Sequence, residues 1–273
     1  APDPQMLARF EREVRTTAKL THWNTIDIYD FGRTDDGTFY YVMEYLPGLS
    51  LRDVISRERI LSPARTVHFL CQICDALNEA HGQSFIHRDI NPNNIFITRR
   101  GGVDDVAKLL DFGLVKSVKK DSEQTNITQT GTVTGTPKYM SPEQAFGEDE
   151  PGVGSDLYSL GAVGYAMLSG KAPFEGSTAM HIMISHARDP VVPLRELNEH
   201  VPESLELVIM RCLEKRPKDR FPNARSLREA LVQCDVGEPW TQADAEQWWL
   251  NVAAESANLE TADRPMPSES LPD

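Results

Sequence analysis

Two short stretches of this sequence hold residues that could do chemistry together. The first is His87-Arg88-Asp89-Ile90-Asn91-Pro92-Asn93-Asn94; the second, 17 residues after Asn94, is Asp111-Phe112-Gly113. Carboxylates and carboxamides are hard oxygen donors that suit a small divalent cation. A loop aspartate beside them can also take a proton from a hydroxyl. Singly, Asp89 and Asp111 read just as well as turn carboxylates, and only their order and spacing gives them weight. Cys71 and Cys74 form a CxxC, but a redox or zinc reading needs a second pair or a strand-turn-helix setting, and neither is present. They are expected to be buried helix thiols.

These loops need elements to hold them. Across Pro63–His81, Val67, Leu70, Cys71, Cys74 and Leu77 recur at helical spacing. Ser62 is a cap residue, Pro63 sits in the first turn and Gly82 stops the run. Short strands are expected around Ile95–Thr98 and Ala107–Leu110, between the two motifs. Upstream, residues 5–20 read as a helix, and Ile26–Phe31 and Phe39–Tyr45 as strands flanking a turn at Arg33–Gly37. From Leu49 the pattern becomes helical. Residues 114–137 are rich in Thr, Ser, Gly and Lys without a period, and predict a long functional or disordered loop. Further helices are expected near 155–169, 177–188, 203–215 and 222–234. Glu238–Asn251, with Trp240, Trp248 and Trp249, reads as a helix docking its aromatics on the preceding domain, or else presenting them to a partner. The polar, Pro-bearing end is expected to be disordered.

Composition bounds the function. With 273 residues and 40% hydrophobic content, the chain can build a packed core. Its 41 acidic and 28 basic residues give a formal charge of −13, which argues against a nucleic-acid or anionic-membrane surface. Eight acidic residues against Arg264 put −7 of that charge in residues 236–273. No apolar run is long enough to span a membrane, and the cysteine content points to a reducing, cytoplasmic setting.

Together the two motifs match H-R-D-x-x-x-x-N and D-F-G. Gly135-Thr136-Pro137-Lys138-Tyr139-Met140-Ser141-Pro142-Glu143 looks like the end of an activation segment, with Ser141 where Ala is common. Ser155-Asp156-Leu157-Tyr158-Ser159-Leu160-Gly161 looks like the start of a buried helix. Over residues 5–235 the chain resembles a eukaryotic-like Ser/Thr protein kinase of the bacterial branch. The resemblance implies an α+β, two-lobed protein-kinase-like fold with an incomplete N-lobe (1–45), a complete, mainly helical C-lobe (46–235), and an acidic Trp-containing tail (236–273).

The resemblance also implies roles. Asp89 is the base that orients the acceptor hydroxyl. Asn94 and Asp111 hold Mg2+, which bridges the phosphates of ATP. Asn91 stands where a Lys usually contacts the transferring phosphate, and so supplies a dipole in place of a charge. Glu13, rather than Glu11, matches the helix Glu that pairs with the ATP-binding Lys. Met43 is the gatekeeper, the backbone of Glu44, Tyr45 and Leu46 takes adenine, and Phe96 packs beneath it; read plainly, these are a strand end and a core aromatic. Arg88 captures a phosphate on the activation segment, with Thr128 and Thr130 as acceptors; Thr136 contacts Asp89, and Arg220 pairs with Glu143. Substrates would be proteins bearing Ser or Thr, with self-association for autophosphorylation. Gly32 is the first glycine and Lys19 the first lysine, so no Gly-rich loop or β3-type lysine precedes Glu13. A kinase cut short is expected; a catalytically silent pseudokinase scaffold is the second reading.

Overall fold

Ser155–Leu168, all buried, form most of helix α4 (Val153–Ser169). A helix apolar all round belongs at the centre of a domain, and the helices Pro63–Gly82, Leu194–Leu197, Glu203–Cys212 and Ala224–Val232 pack against it. The computed structural model describes residues 18–35, 38–111, 137–146 and 151–262.

Strands β1 (Ile28–Arg33) and β2 (Phe39–Met43) form an antiparallel hairpin. Strands β3 (Gly48–Ser50), β4 (Ile95–Arg100) and β5 (Val103–Leu109) form a second antiparallel sheet in the order β3-β4-β5. Helices α1 (Leu51–Glu58) and α2 (Pro63–Gly82) follow β3, and α3 (Pro142–Phe146) precedes α4. Then come α5 (Ala179–Arg188), α6 (Leu194–Leu197), α7 (Glu203–Cys212), α8 (Ala224–Val232) and α9 (Gln242–Ala262). A small sheet unit thus precedes a helical one.

Local chemistry sets the boundaries. Ser62 Oγ accepts the Arg65 N–H at 3.2 Å, with Pro63 opening α2. Gly170 ends α4 at φ 75°, the left-handed cap that glycine favours. A Cβ at Gly161 would stand 2.4 Å from Cys212 Cβ, so its absence lets α4 lie against α7.

The predicted hairpin forms two residues later than expected at its first strand, and a short strand, β3, precedes the helix expected from Leu49. Of the CxxC pair on α2, Cys74 is buried, but Cys71 is only half-buried, a correction to the expectation for both. Burial pushes the Cys71 thiol up to about 11, so it stays protonated. The expected helix at 5–20, the loop at 114–137 and the C-terminal end fall wholly or largely outside the described residues.

Strand β5 starts earlier than expected because it contains a bulge. Thr98 pairs with Val106 and Arg100 with Val103, so Arg99 faces both Asp104 and Asp105, and Asp105 takes φ 54°. The bulge turns the Asp105 carboxylate, fully buried, toward α2. It accepts Arg65 Nε at 2.8 Å and Nη2 at 3.0 Å, Trp240 Nε1 at 3.0 Å and Trp249 Nε1 at 2.9 Å. The Arg65 guanidinium lies 4.0 Å from the Trp248 ring centre and 4.8 Å from that of Trp240, and also pairs with Glu58. Gln242 pairs with the Asp104 backbone through both ends of its amide. The tryptophans therefore dock on the domain, the first of the two readings; the helix begins at Gln242, with Trp240 ahead of it.

A second buried network joins α4 to α5. Tyr158 Oη and His186 Nδ1 are 2.8 Å apart, Phe174 meets the imidazole edge-on at 4.9 Å, and Lys215 Nζ caps the His186 carbonyl at 2.8 Å. Burial, aided by the Lys215 charge, lowers His186 from 6.5 to about 4.

Two outcomes follow from these networks. Asp105→Ala leaves the buried Arg65 guanidinium with Glu58 as its one carboxylate and two indole N–H groups without their acceptor, and should cost about 3–5 kcal/mol in urea unfolding; a loss under about 1 kcal/mol would refute the cage. His186 is neutral when folded and binds a proton more readily when unfolded, so stability falls as pH drops from 6.5 toward about 4. His186→Gln should flatten the difference in urea midpoint between about pH 7 and about pH 5, and an unchanged slope would rule the histidine out.

Candidate active site

The loop after α2 is set by hydrogen bonds to its backbone. Asp156, on the first turn of α4 and buried, accepts the His87 N–H on Oδ2 and the Arg88 N–H on Oδ1, each at 2.8 Å. His81 Nε2 lies 2.9 Å from the same Oδ2. Arg88 takes φ 66°, a conformation that side chains bearing a Cβ seldom adopt. Its peptide is held from both sides, because Gln144 Nε2 donates to the Arg88 carbonyl at 2.9 Å.

His87 is buried and works as a strut. The Asp89 N–H donates to Nδ1 at 3.2 Å, so the proton resides on Nε2, which donates to the Leu110 carbonyl at 2.7 Å. Burial lowers its pKa, which agrees with the neutral ring. The Leu110 N–H in turn donates to the Asn94 carbonyl at 2.8 Å. The residue before Asp111 is thus tied to both ends of the loop that carries Asp89.

Asp89, Asn94 and Asp111 are brought together, each half-buried. Asn94 Nδ2 donates to the Asp89 carbonyl at 2.8 Å and to its Oδ2 at 3.2 Å. With its nitrogen committed there, Asn94 keeps its side-chain oxygen as the end suited to a cation. Asp111 takes φ 48°, and its Oδ1 accepts the Tyr41 hydroxyl at 3.1 Å. Burial, then the Asp111 charge, raises Tyr41 to about 12. Two hard-oxygen side chains with the remaining ligands from water and phosphate is how Mg2+ is usually held, so the donor set fits that ion. Among the described residues no cluster of three or more His, Cys, Asp or Glu side chains is arranged for a metal.

Asn91 behaves differently from the expectation of a dipole aimed at phosphate. It is buried, its Nδ2 donates to the Asp89 carbonyl at 3.0 Å, and its Oδ1 accepts the Asn93 N–H at 2.9 Å and Asn93 Nδ2 at 3.1 Å. The side chain is turned into the loop.

The segment after β2 is fixed from the side. The Glu44 carboxylate accepts Lys108 Nζ at 2.6 Å, Arg100 Nη1 at 2.7 Å and the Asp27 N–H at 3.0 Å. Lys108, fully buried, also donates to the Thr25 carbonyl at 2.9 Å. The Glu44 N–H donates to the Asp27 carbonyl at 3.0 Å. Met43 is 40% exposed and Tyr45 90%, while Leu46 and Phe96 are half-buried. Phe96 lies on β4 opposite Ser50 of β3.

Glu143 and Arg220 form a buried two-pronged pair at 2.8 and 2.9 Å. Arg220 donates further to the carbonyls of Gly154, Glu214 and Lys215. Burial pushes Glu143 upward, but its bonds from Arg220 and Ser155 outweigh that and lower its pKa. Ser141 caps α3 through reciprocal contacts with Gln144, which gives the Ser a use at this position. Glu13, Phe112, Thr128, Thr130 and Thr136 lie outside the described residues.

Sequence reasoning quoted Asp156 in a motif without giving it a role, and missed Tyr41 and Lys108. A lone acid at the head of an apolar helix was the available signal for Asp156. Tyr41 left none, since a strand tyrosine carries no spacing signature.

Comparison with known proteins decides the family. The model of the protein kinase domain matches residues 2–232. This chain belongs to the protein kinase family. The kinase pkn3 of Myxococcus xanthus, a serine/threonine-protein kinase, is 37% identical over 235 residues, covering 85% of this chain and 43% of that protein. PknB of Mycolicibacterium smegmatis, also a serine/threonine-protein kinase, is 36% identical over 277 residues, 98% of this chain and 43% of its own length. The chain thus spans under half the length of these relatives. The PknI kinase domain of Mycobacterium tuberculosis, known from a crystal structure, shares the fold with a TM-score of 0.64 at 23% identity, over 85% of this chain and 79% of that one. The resemblance to bacterial Ser/Thr kinases and the two-lobed α+β kinase fold are both borne out. No helix among the described residues is long and apolar enough to cross a membrane.

The Asp156 contacts carry their own test. Asp156→Ala leaves two backbone N–H groups without their acceptor, and should cost at least about 2 kcal/mol in urea unfolding. Amide exchange at His87 and Arg88 should speed up in the same variant; unchanged protection there would mean that something else holds the loop.

Proposed function

We propose that this kinase domain transfers the γ-phosphoryl group of Mg·ATP to Ser or Thr hydroxyls of proteins, in the cytoplasm, where ATP is supplied. The observation that supports this most is the joining of Asp89, Asn94 and Asp111 through Asn94 and the His87–Leu110 strut. Bound Mg·ATP supplies the electrophilic phosphoryl group and its charge neutralisation. Asp89 orients the acceptor hydroxyl and takes its proton. Asn94, through its oxygen, and Asp111 hold the cation. Asn91 fastens the loop, so charge on the transferring phosphate comes from another group. The Glu44 carbonyl and the backbone at Tyr45 and Leu46 receive adenine between Met43 and Phe96. By the family resemblance, Glu13 would pair with an ATP-binding lysine and Thr136 would meet Asp89. Arg88, exposed beside Asp89, takes a phosphate placed on Thr128 or Thr130 by a second copy of the chain, which orders the activation segment.

The intact cluster supports an enzyme over a silent scaffold. In a full-length protein that carries the Gly-rich loop and the ATP-binding lysine, Asp89→Asn should lower phosphate transfer from ATP, to the protein itself and to casein, by about 10²–10⁴-fold with an unchanged unfolding midpoint. Unaltered turnover would remove Asp89 from the chemistry. Phosphopeptide mapping should find Thr128 or Thr130 in the parent and neither in Asp89→Asn.

A further inference from the structure

The Asp111 backbone is pinned, but its carboxylate needs its own guide. Leu110 is held by Asn94 and His87, and Asp111 leaves β5 at φ 48°. From there Oδ1 meets the hydroxyl of Tyr41, a residue of the other sheet. Successive strand side chains alternate between faces. Tyr40 and Val42, 41% and 46% exposed, take the outer face of β2, and Tyr41 turns inward with its ring half-buried. Tyr41 lies two residues before Met43, where the strand runs into the segment fixed by Glu44 and Lys108.

A tyrosine hydroxyl is a donor throughout the physiological range, and a bond from it to a carboxylate is charge-assisted. A carboxylate offers about four lone-pair sites, so one bond to Oδ1 leaves room for a cation. At 3.1 Å the bond is at the long end for O–H···O, as is common for active-site bonds before ligands arrive.

We infer that Tyr41 is a positioning residue for the metal-holding carboxylate: its hydroxyl sets the rotation of Asp111 and ties the small sheet to the cation site. This rests on the reading of Asp111 as a metal ligand. Partners of this kind behind a ligating group are commonly worth 10–100-fold in metal affinity.

The test uses the 273-residue chain with Mn2+ and ADP as probe, followed by electron paramagnetic resonance and by calorimetry. Tyr41→Phe keeps the ring and removes only the hydroxyl. It should weaken Mn2+·ADP binding by about tenfold or more while leaving the unfolding midpoint unchanged, a split that a packing role would not produce. Asp111→Asn is the reference for full loss of the ligand. If Asp111→Asn weakens binding and Tyr41→Phe binds as tightly as the parent, or more tightly, the role of Tyr41 is overturned and the reading of Asp111 stands. If Asp111→Asn binds no differently from the parent, the metal-ligand reading fails, and the role of Tyr41 with it.

Discussion

Asp156 brings a buried carboxylate to the one place where the chain must run through an unfavourable turn. With Arg88 at a positive φ, the N–H groups of His87 and Arg88 point the same way, and a single carboxylate can take both. Such a conformation costs of order 1–3 kcal/mol and persists only where its surroundings over-determine it. The acceptor that fixes it sits on the most buried helix among the described residues, so the loop inherits the rigidity of the core. From that turn follow the tautomer of His87, its bond to Leu110 and the placing of Asp111.

Strand β5 distributes charge to three places. Its bulge sends Asp105 to Arg65 and the tryptophans, Lys108 goes to Glu44 before β3, and two residues past its end stands Asp111. A buried ion is tolerated only when paired and fully hydrogen-bonded, and Asp105 and Lys108 both are. Packing of α9 on the bulge therefore adds constraint to the strand that leads into Asp111. At the bulge the acidic tail reaches the domain through neutral indoles and an amide, which lets it dock against a buried aspartate, while Glu255 further along pairs with Arg57.

Legibility in the sequence followed the range of the interactions. Helix α2 was readable because its cap, its proline and its apolar period all lie within its own span, and α4 because it is apolar all round. The two motifs were readable because the reaction dictates residue types at short spacings. Strand β5 was read from Ala107 onward because Asp104-Asp105 looks like a break; a bulge paired to Arg65, 40 residues away, has no local signature. Asn91 illustrates the limit on the site. Its type suggested a weakened contact with phosphate, but the direction of a buried amide depends on Asp89 and Asn93, and only coordinates supply it.

Burial separates what scaffolds from what reacts. Asp156, Asp105, Lys108, Arg65, Glu143 and Arg220 are 8% exposed or less, and each is consumed by partners that leave nothing for a ligand. Asp89, Asn94 and Asp111 are only half-buried. Partial exposure leaves these side chains open to solvent on one side. Their positions must then be set from behind, by backbone bonds and by neutral donors such as Asn94 Nδ2 and the Tyr41 hydroxyl. Neutral donors suit this purpose because they orient a carboxylate without cancelling its charge.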